Sequence, residues 1–476
     1  MNKIIRINLI VIFLITILLF YNLSLHSQSQ MDISVNTKNT VAEIPPDFSG
    51  LSFETATLLP DKQGQYYFRA GNRKLVQVFR QLGIRSLRIG GNTADRPTIQ
   101  VPDHKDIDSL FAFAKAANLK IIYTLRLREG SIEKATEIAK YIMDDYKSEI
   151  ECFAIGNEPN MFSKEYNVYR DEWKKYVNSI LEKAPEAKFC APSTTPGKTE
   201  WAAQFAEDFK NAGYIDFISQ HAYPGGNGFK VNNKLIGRKE MLSGAWLKSY
   251  QNFYDSFVPN ISKDGFRYRI EETNNFYNGG ASDVSNTFAS ALWGLDYMFW
   301  WATHNAIGLN FHTGDNVAAG EANRPCQYAA FVTSPRGFSV HPLGYAIKVF
   351  DLAGKGKVIP VTTTSNKDNL NVTVYSTLSN DNTVFVVIIN KEVGPGGREA
   401  DINLNLDSEI QNGKIMFLTA PDGDVSATEG TELGGSGIND NAEWSGTWKD
   451  IPTTENGFQF NVHAATAALI KLNILK

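Results

Sequence analysis

Cys152-Phe153-Ala154-Ile155-Gly156-Asn157-Glu158-Pro159-Asn160 carries an apolar, strand-like run directly into a carboxylate and a proline. Pro159 cannot donate to a sheet ladder and biases the residue before it away from helical geometry, so the strand ends here and presents Glu158 at its carboxyl edge. Working outward, seven more apolar runs end at Glu54, Ile89, Leu125, Ala191, Ala222, Glu272 and Phe311. Between them lie helical stripes such as Leu75/Phe79/Leu82, Ile107/Leu110/Ala114, Ala135/Ile138/Ile142, Trp173/Val177/Ile180 and Phe205/Phe209/Ala212. Trp246/Tyr250/Phe253/Phe257, the segment Phe288 to Trp301 and Leu343 to Leu352 supply three more, and Gly83 and Asn118 read as helix C-caps. Strands alternating with crossover helices predict an α/β fold, a (β/α)8 TIM barrel over residues 30–354.

Beyond Gly354 the pattern changes to period-2 alternation at Asn371 to Tyr375, Ile402/Leu404/Leu406 and Phe458/Phe460/Val462, with the wholly apolar Val384 to Ile389 among them. Residues 355–476 therefore read as a C-terminal β-sandwich domain. A lone strand at 31–36 precedes the barrel and has the alternation to pair into that sandwich.

Composition narrows the function. With 47 basic against 51 acidic side chains, the chain lacks the excess charge that nucleic acid or an anionic membrane surface would demand. Lys3 and Arg6 ahead of Leu9 to Phe20, then Ser27-Gln28-Ser29, read as an export signal over 1–29, leading to the periplasm or beyond; a retained anchor is the competing reading. No stable membrane partner is expected after cleavage. Cys152, Cys190 and Cys326 are too few and scattered for a disulfide framework or a metal cluster, and no glycine-rich turn marks a nucleotide, so no cofactor is expected.

A second acidic pair, Glu271-Glu272, ends the seventh run as Glu158 ends the fourth. Two acids at separate strand ends are the minimum equipment for glycoside hydrolysis, one protonating the leaving oxygen and the other attacking the anomeric centre. Strand alternation sends Glu271 and Glu272 to opposite faces, so only one enters the mouth. Parity groups Glu271 with Arg267 and Arg269, as for an ion-pairing acid, but leaves the choice open. Glu54 and Asn92 end the first and second strands and read as partners for ring hydroxyls, with a structural network as the alternative. His221 and Tyr223 close the sixth, either orienting a nucleophile or forming a satisfied buried pair. Arg126 and Arg128 end the third strand and read as surface ion-pairing groups, with contact to an acidic polymer as the alternative, and Trp300 and Trp301 read as helix core.

Ile155-Gly156-Asn157-Glu158-Pro159-Asn160, with Glu272-Thr273-Asn274, Tyr277 and Gly279-Gly280, resembles glycoside hydrolase family 79, the family of β-glucuronidases and heparanase-like enzymes. The resemblance extends to Gly50 to Glu54, Leu87-Arg88-Ile89-Gly90-Gly91-Asn92, Asp283 to Ser285 and Asn310-Phe311-His312. It implies a retaining mechanism in which Glu158 is the acid/base and Glu272 the nucleophile. It implies that Asn157 binds the sugar 2-hydroxyl, and that Tyr277 and the backbone at Gly279 donate to a uronate; Tyr328 is a further candidate for that task. The partner implied is a glucuronic-acid-containing glycan. A neutral-sugar glycosidase acting on xylosides or glucosides and a non-catalytic carbohydrate-binding protein are the alternatives.

Overall fold

The computed structural model describes residues 29–315, 325–366, 370–454 and 457–475; the expected export signal, except Ser29, lies outside them. Eight parallel strands, Ser49–Glu54, Ser86–Gly90, Lys120–Leu125, Ile150–Ile155, Phe189–Thr194, Ile215–Ala222, Tyr268–Thr273 and Leu309–His312, close into a barrel. The eighth strand pairs with the first in register from Leu309 against Ser49 to His312 against Ser52. Most of these strands are buried along their whole length, including the polar Ser52, Arg88, Arg269 and Glu271.

The helices form where the apolar stripes lie. Arg73–Leu82 ends on Gly83 at φ 75° and His104–Ala117 on Asn118 at φ 60°, left-handed caps that release each chain toward the next strand. Asp103 and Asp106 start the second of these with a reciprocal capping box. The helix Phe288–Thr303 is buried through nearly all its length, including Trp300 and Trp301. Among the elements the sequence reading does not give are the short helix Lys234–Met241, whose Leu235 and Ile236 are exposed, and the hairpin Phe331–Ser334 with Gly337–Val340.

The chain starts outside the barrel. Ser29–Val35 runs antiparallel to Val361–Ser365 and parallel to Ala400–Leu406, so this strand lies in a sheet built mainly from residues after the barrel. Ala42–Ile44 likewise pairs with Gly356–Val358 at the edge of a second, eight-stranded sheet. The two sheets pack through Met31, Ile33, Ile402 and Leu404 on one side and Val384, Val386 and Ile388 on the other. The other face of Thr383–Asn390 presents Phe385, Val387 and Ile389 to the barrel helices, which explains its lack of alternation. Asp296 on Phe288–Thr303 accepts Lys391 Nζ at 2.6 Å, Tyr375 Oη at 2.7 Å and Thr373 Oγ1 at 2.7 Å, fixing the barrel to that sheet through a buried ion pair.

Candidate active site

The fourth strand stops at Ile155 because Gly156 turns at φ 84° and Glu158 at φ 47°, both left-handed. For a non-glycine residue that conformation costs on the order of 1–3 kcal/mol and persists only where the surroundings hold it. The hold is visible: Glu158 N donates to Ser193 O at 3.0 Å, Asn157 N to Asp95 Oδ2 at 2.6 Å, and Asn160 exchanges two hydrogen bonds with Thr195. The Glu158 carboxylate is thereby aimed across the mouth, with its side chain 18% exposed.

The seventh strand departs from the expected alternation. Opposite the step Gln220 to His221 it takes two residues, Ile270 to Glu272, and opposite Leu309 to Phe311 it takes three, Ile270 to Thr273. One residue is therefore extra against both neighbours, a β-bulge that turns adjacent side chains to the same side. Glu271 and Glu272 both face the barrel interior, correcting the expectation that only one could. Arg267 and Arg269 are not partners of Glu271: Arg267 pairs with Asp216 at 2.6 Å, and Arg269 with Asp47 and Glu151 at 3.3 and 3.6 Å.

Around Glu272 the structure assembles four donors. Arg88 Nη1 donates to Oε2 at 2.6 Å and Tyr223 Oη to Oε1 at 2.9 Å; His221 Nδ1 and His312 Nδ1 each lie 3.8 Å away. Burial pushes the Glu272 carboxyl up, but His312, His221, Arg88 and the Tyr223 hydrogen bond outweigh it and hold the group well below the usual carboxylate range. His221 is itself fully buried. Burial pushes its pKa down, yet Glu272, Glu158 and Glu271 raise it to about 9. Its Nδ1 also lies 3.1 Å from Glu158 Oε1, so one imidazole bridges the two acids. Oxygen atoms of Glu158 and Glu272 and a nitrogen of His221 all fall within 4.8 Å of one another. These are metal-ligating residue types, but the guanidinium of Arg88 already sits on Glu272, so the cluster reads as a charge-balanced ion-pair network.

The remaining mouth residues divide by what they touch. Asn157 accepts from Arg88 Nη2 at 2.7 Å through its side-chain oxygen. Glu54 is occupied by the amides of Asn92 and Thr93 and the Thr93 hydroxyl, so it pins the loop after the second strand and faces the site only through His312, 3.7 Å away. The Asn92 side chain is exposed at the rim. Tyr277 is 40% exposed with its ring 6.0 Å from that of Tyr223, and Gly279 turns at φ 78°. Tyr328 is buried beside that loop, where Gln327 N donates to Gly279 O at 2.8 Å. Burial, Cys326, Glu272 and Glu54 all push the Tyr328 phenol up, so it stays a neutral donor. Arg126 is tied to Ala94 O and Ile99 O at 2.8 and 2.7 Å, correcting its reading as a surface ion pair.

Arg88, His312 and Asp95 join the site without having been singled out from the sequence for a role there. Arg88 had a signal: it is the one charge inside the strand Ser86–Gly90, and a buried charge needs partners.

The model of the glycosyl hydrolase family 79 N-terminal domain matches residues 128–298, the stretch that contains Glu158, His221, Tyr223 and Glu272. A β-glucuronidase of Aspergillus niger is 28% identical over 190 residues, which cover 34% of this chain and 34% of that protein. The heparanase of Mus musculus is 27% identical over 216 residues, 40% of this chain and 37% of that protein. The chain thus spans little more than a third of the length of the curated relatives it matches. A 4-O-α-L-rhamnosyl-β-D-glucuronidase from Fusarium oxysporum superposes with a TM-score of 0.69 at 18% identity, covering 92% of this chain and 100% of that one. A GH51 arabinofuranosidase from Xanthomonas axonopodis superposes at 0.66 with 11% identity, over 94% and 100% of the two chains. At these identities the likeness is one of fold, a barrel with appended sheets.

Proposed function

We propose that this chain is an exported retaining β-glycosidase of the glucuronidase type, removing terminal glucuronic acid from glycans or glycoconjugates. The observation that carries the retaining mechanism is the approach of Glu158 and Glu272 oxygens within 4.8 Å. Retaining pairs stand about 5–5.5 Å apart, whereas inverting pairs leave roughly 6.5–9.5 Å for a water. Glu272, held ionised, attacks the anomeric carbon as Glu158 gives its proton to the leaving oxygen. The resulting glycosyl ester is cleaved by a water that Glu158 deprotonates, restoring both acids.

Several features support a uronide. Arg88 is engaged by Glu272, Asn157 and Ser52, so a sugar carboxylate beside two protein carboxylates needs other donors. The Tyr328 hydroxyl, the Gly279 amide and the Tyr277 phenol line one side of the mouth and are of that kind. The β-glucuronidase relative points to the same sugar. Export rests on the basic and apolar pattern of residues 3–20; among the described residues no helix is long and apolar enough to cross a membrane.

The test is a comparison of kcat/KM for 4-nitrophenyl β-glucuronide, β-glucoside and β-xyloside with the purified protein. A clear preference for the glucuronide is expected. Preference for a neutral sugar would leave the acid pair intact and overturn the uronide reading.

A further inference from the structure

Glu271 has no place in the two-carboxylate mechanism, yet it is one of the most enclosed charges in the molecule. Its side chain and that of His221 are both at 0% exposure, and Glu271 Oε1 stands 3.7 Å from His221 Nε2. Among the described residues neither atom has a hydrogen-bond partner closer than this. A lone buried carboxylate oxygen facing a lone buried ring nitrogen is costly unless the two hold a proton and opposite charges between them. The bulge at Ile270 to Thr273 is what turns Glu271 inward beside Glu272.

We propose that Glu271 is a positioning residue that holds His221 as an imidazolium, with Nε2–H toward Glu271 and Nδ1–H toward the gap between Glu158 and Glu272. The proposal rests on the retaining reading and deepens it. Nδ1 lies 3.1 Å from Glu158 and 3.8 Å from Glu272, so one fixed cation faces whichever acid is charged. Before attack that acid is Glu272. Once Glu272 is an ester and Glu158 has lost its proton, the same N–H faces Glu158. The proton stays on the ring throughout, and only its carboxylate partner changes.

The other groups around this triad are accounted for. Cys190 on the fifth strand donates its thiol toward Glu271 Oε2 at 3.5 Å. Arg88 on the second strand, Tyr223 just after the sixth and His312 on the eighth each approach Glu272. Burial pushes the Glu271 carboxyl up, and His221, Arg88 and Ser193 outweigh it and hold it low, so the triad carries two anions around one cation with Arg88 as the second.

The 15N resonances of His221, assigned among the seven histidines by their loss in His221→Gln, read the charge directly in the wild-type protein. Both ring nitrogens protonated at pH 7.5 is the expected result; a bare nitrogen there overturns the proposal whether or not the protein cleaves glycosides. In Glu271→Gln the titration midpoint should fall by about 1–3 pH units, the effect of removing an opposite charge at this range. With it, kcat should drop at pH 7.5 with little change in KM, and Glu271→Asp should restore part of both. An unchanged midpoint in a folded Glu271→Gln would also overturn it. Glycoside turnover that persists while the ring is neutral sinks this inference and spares the retaining mechanism, whereas absence of turnover beside a charged ring sinks only the mechanism.

Discussion

Two arginines fill the two ends of the barrel interior in the same manner and toward different ends. Arg88 near the mouth and Arg269 near the floor are both wholly buried, both beside carboxylates, and both packed where a glycine, Gly90 or Gly308, leaves no side chain in the way. On the floor, Arg269 is saturated by Asn310 Oδ1 and Asp47 O at 2.8 Å each, and its carboxylate neighbours stand off at 3.3 and 3.6 Å. Burial therefore wins at Glu151, raising it to about 7 against the pull of Arg269. At the mouth, Arg88 reaches Glu272 at 2.6 Å with Tyr223 and two histidines assisting, and burial loses. The same residue pair thus gives a carboxyl that tends to neutrality at one end and a committed anion at the other. This difference separates structural charge from chemical charge in a barrel.

The contrast breaks most sharply by substitution. Glu272→Gln should lower kcat on an activated aryl glucuronide by roughly 10⁴-fold or more, while Glu151→Gln should leave it within about twofold, both measured by steady-state kinetics. Glu158→Ala should slow poor leaving groups by about 10²–10⁴-fold and activated ones far less, since a good leaving group hardly needs the proton; azide should then yield the β-glycosyl azide. Equal losses across leaving groups would remove Glu158 from the acid role.

Replacing the guanidiniums sharpens it further. Arg269→Met should cost about 3 kcal/mol in denaturant unfolding with kcat of the folded protein retained, because it strands Asp47 and Glu151. Arg88→Met should instead lower kcat and raise the acid limb of kcat/KM, because Glu272 loses its nearest cation.

The smallest effects are in pH. Glu151 is raised above its unfolded value of about 4.5, so the fold is favoured below that value and loses stability as pH rises through about 7; Glu151→Gln should gain up to about 2 kcal/mol at pH 8 and little at pH 4.5. His221 is also raised, from about 6.5 to about 9, but as a base: its stabilisation is full below about 6.5 and is lost as pH rises through about 9. Thermal melts of wild type, Glu151→Gln and His221→Gln across pH 4–10 separate the two.

How much of this was legible follows from local physics. Lys120–Leu125 and Ile150–Ile155 announced themselves because parallel strands buried on both faces read as largely apolar runs, and Thr383–Asn390, buried between barrel and sheet, did so for the same reason. The placement of Glu158 followed from Pro159. The inward turn of both Glu271 and Glu272 did not, because a bulge is defined by the register of neighbouring strands and leaves the strand's own residues unmarked. Arg88 was readable as a lone charge within Ser86–Gly90, whereas His312 and Asp95 acquire their partners only once the barrel closes. The helix Lys234–Met241 escaped because an exposed Leu235 and Ile236 make no stripe.

The most direct test of the central claim is to trap the glycosyl-enzyme with a 2-deoxy-2-fluoro-β-glucuronyl fluoride and map the modified peptide by mass spectrometry. Glu271 and Glu272 fall on the same peptide, so fragmentation between them decides. The sugar is expected on Glu272 alone. A label on Glu271 or Glu158, or turnover of the reagent with inversion and no adduct, would contradict the account.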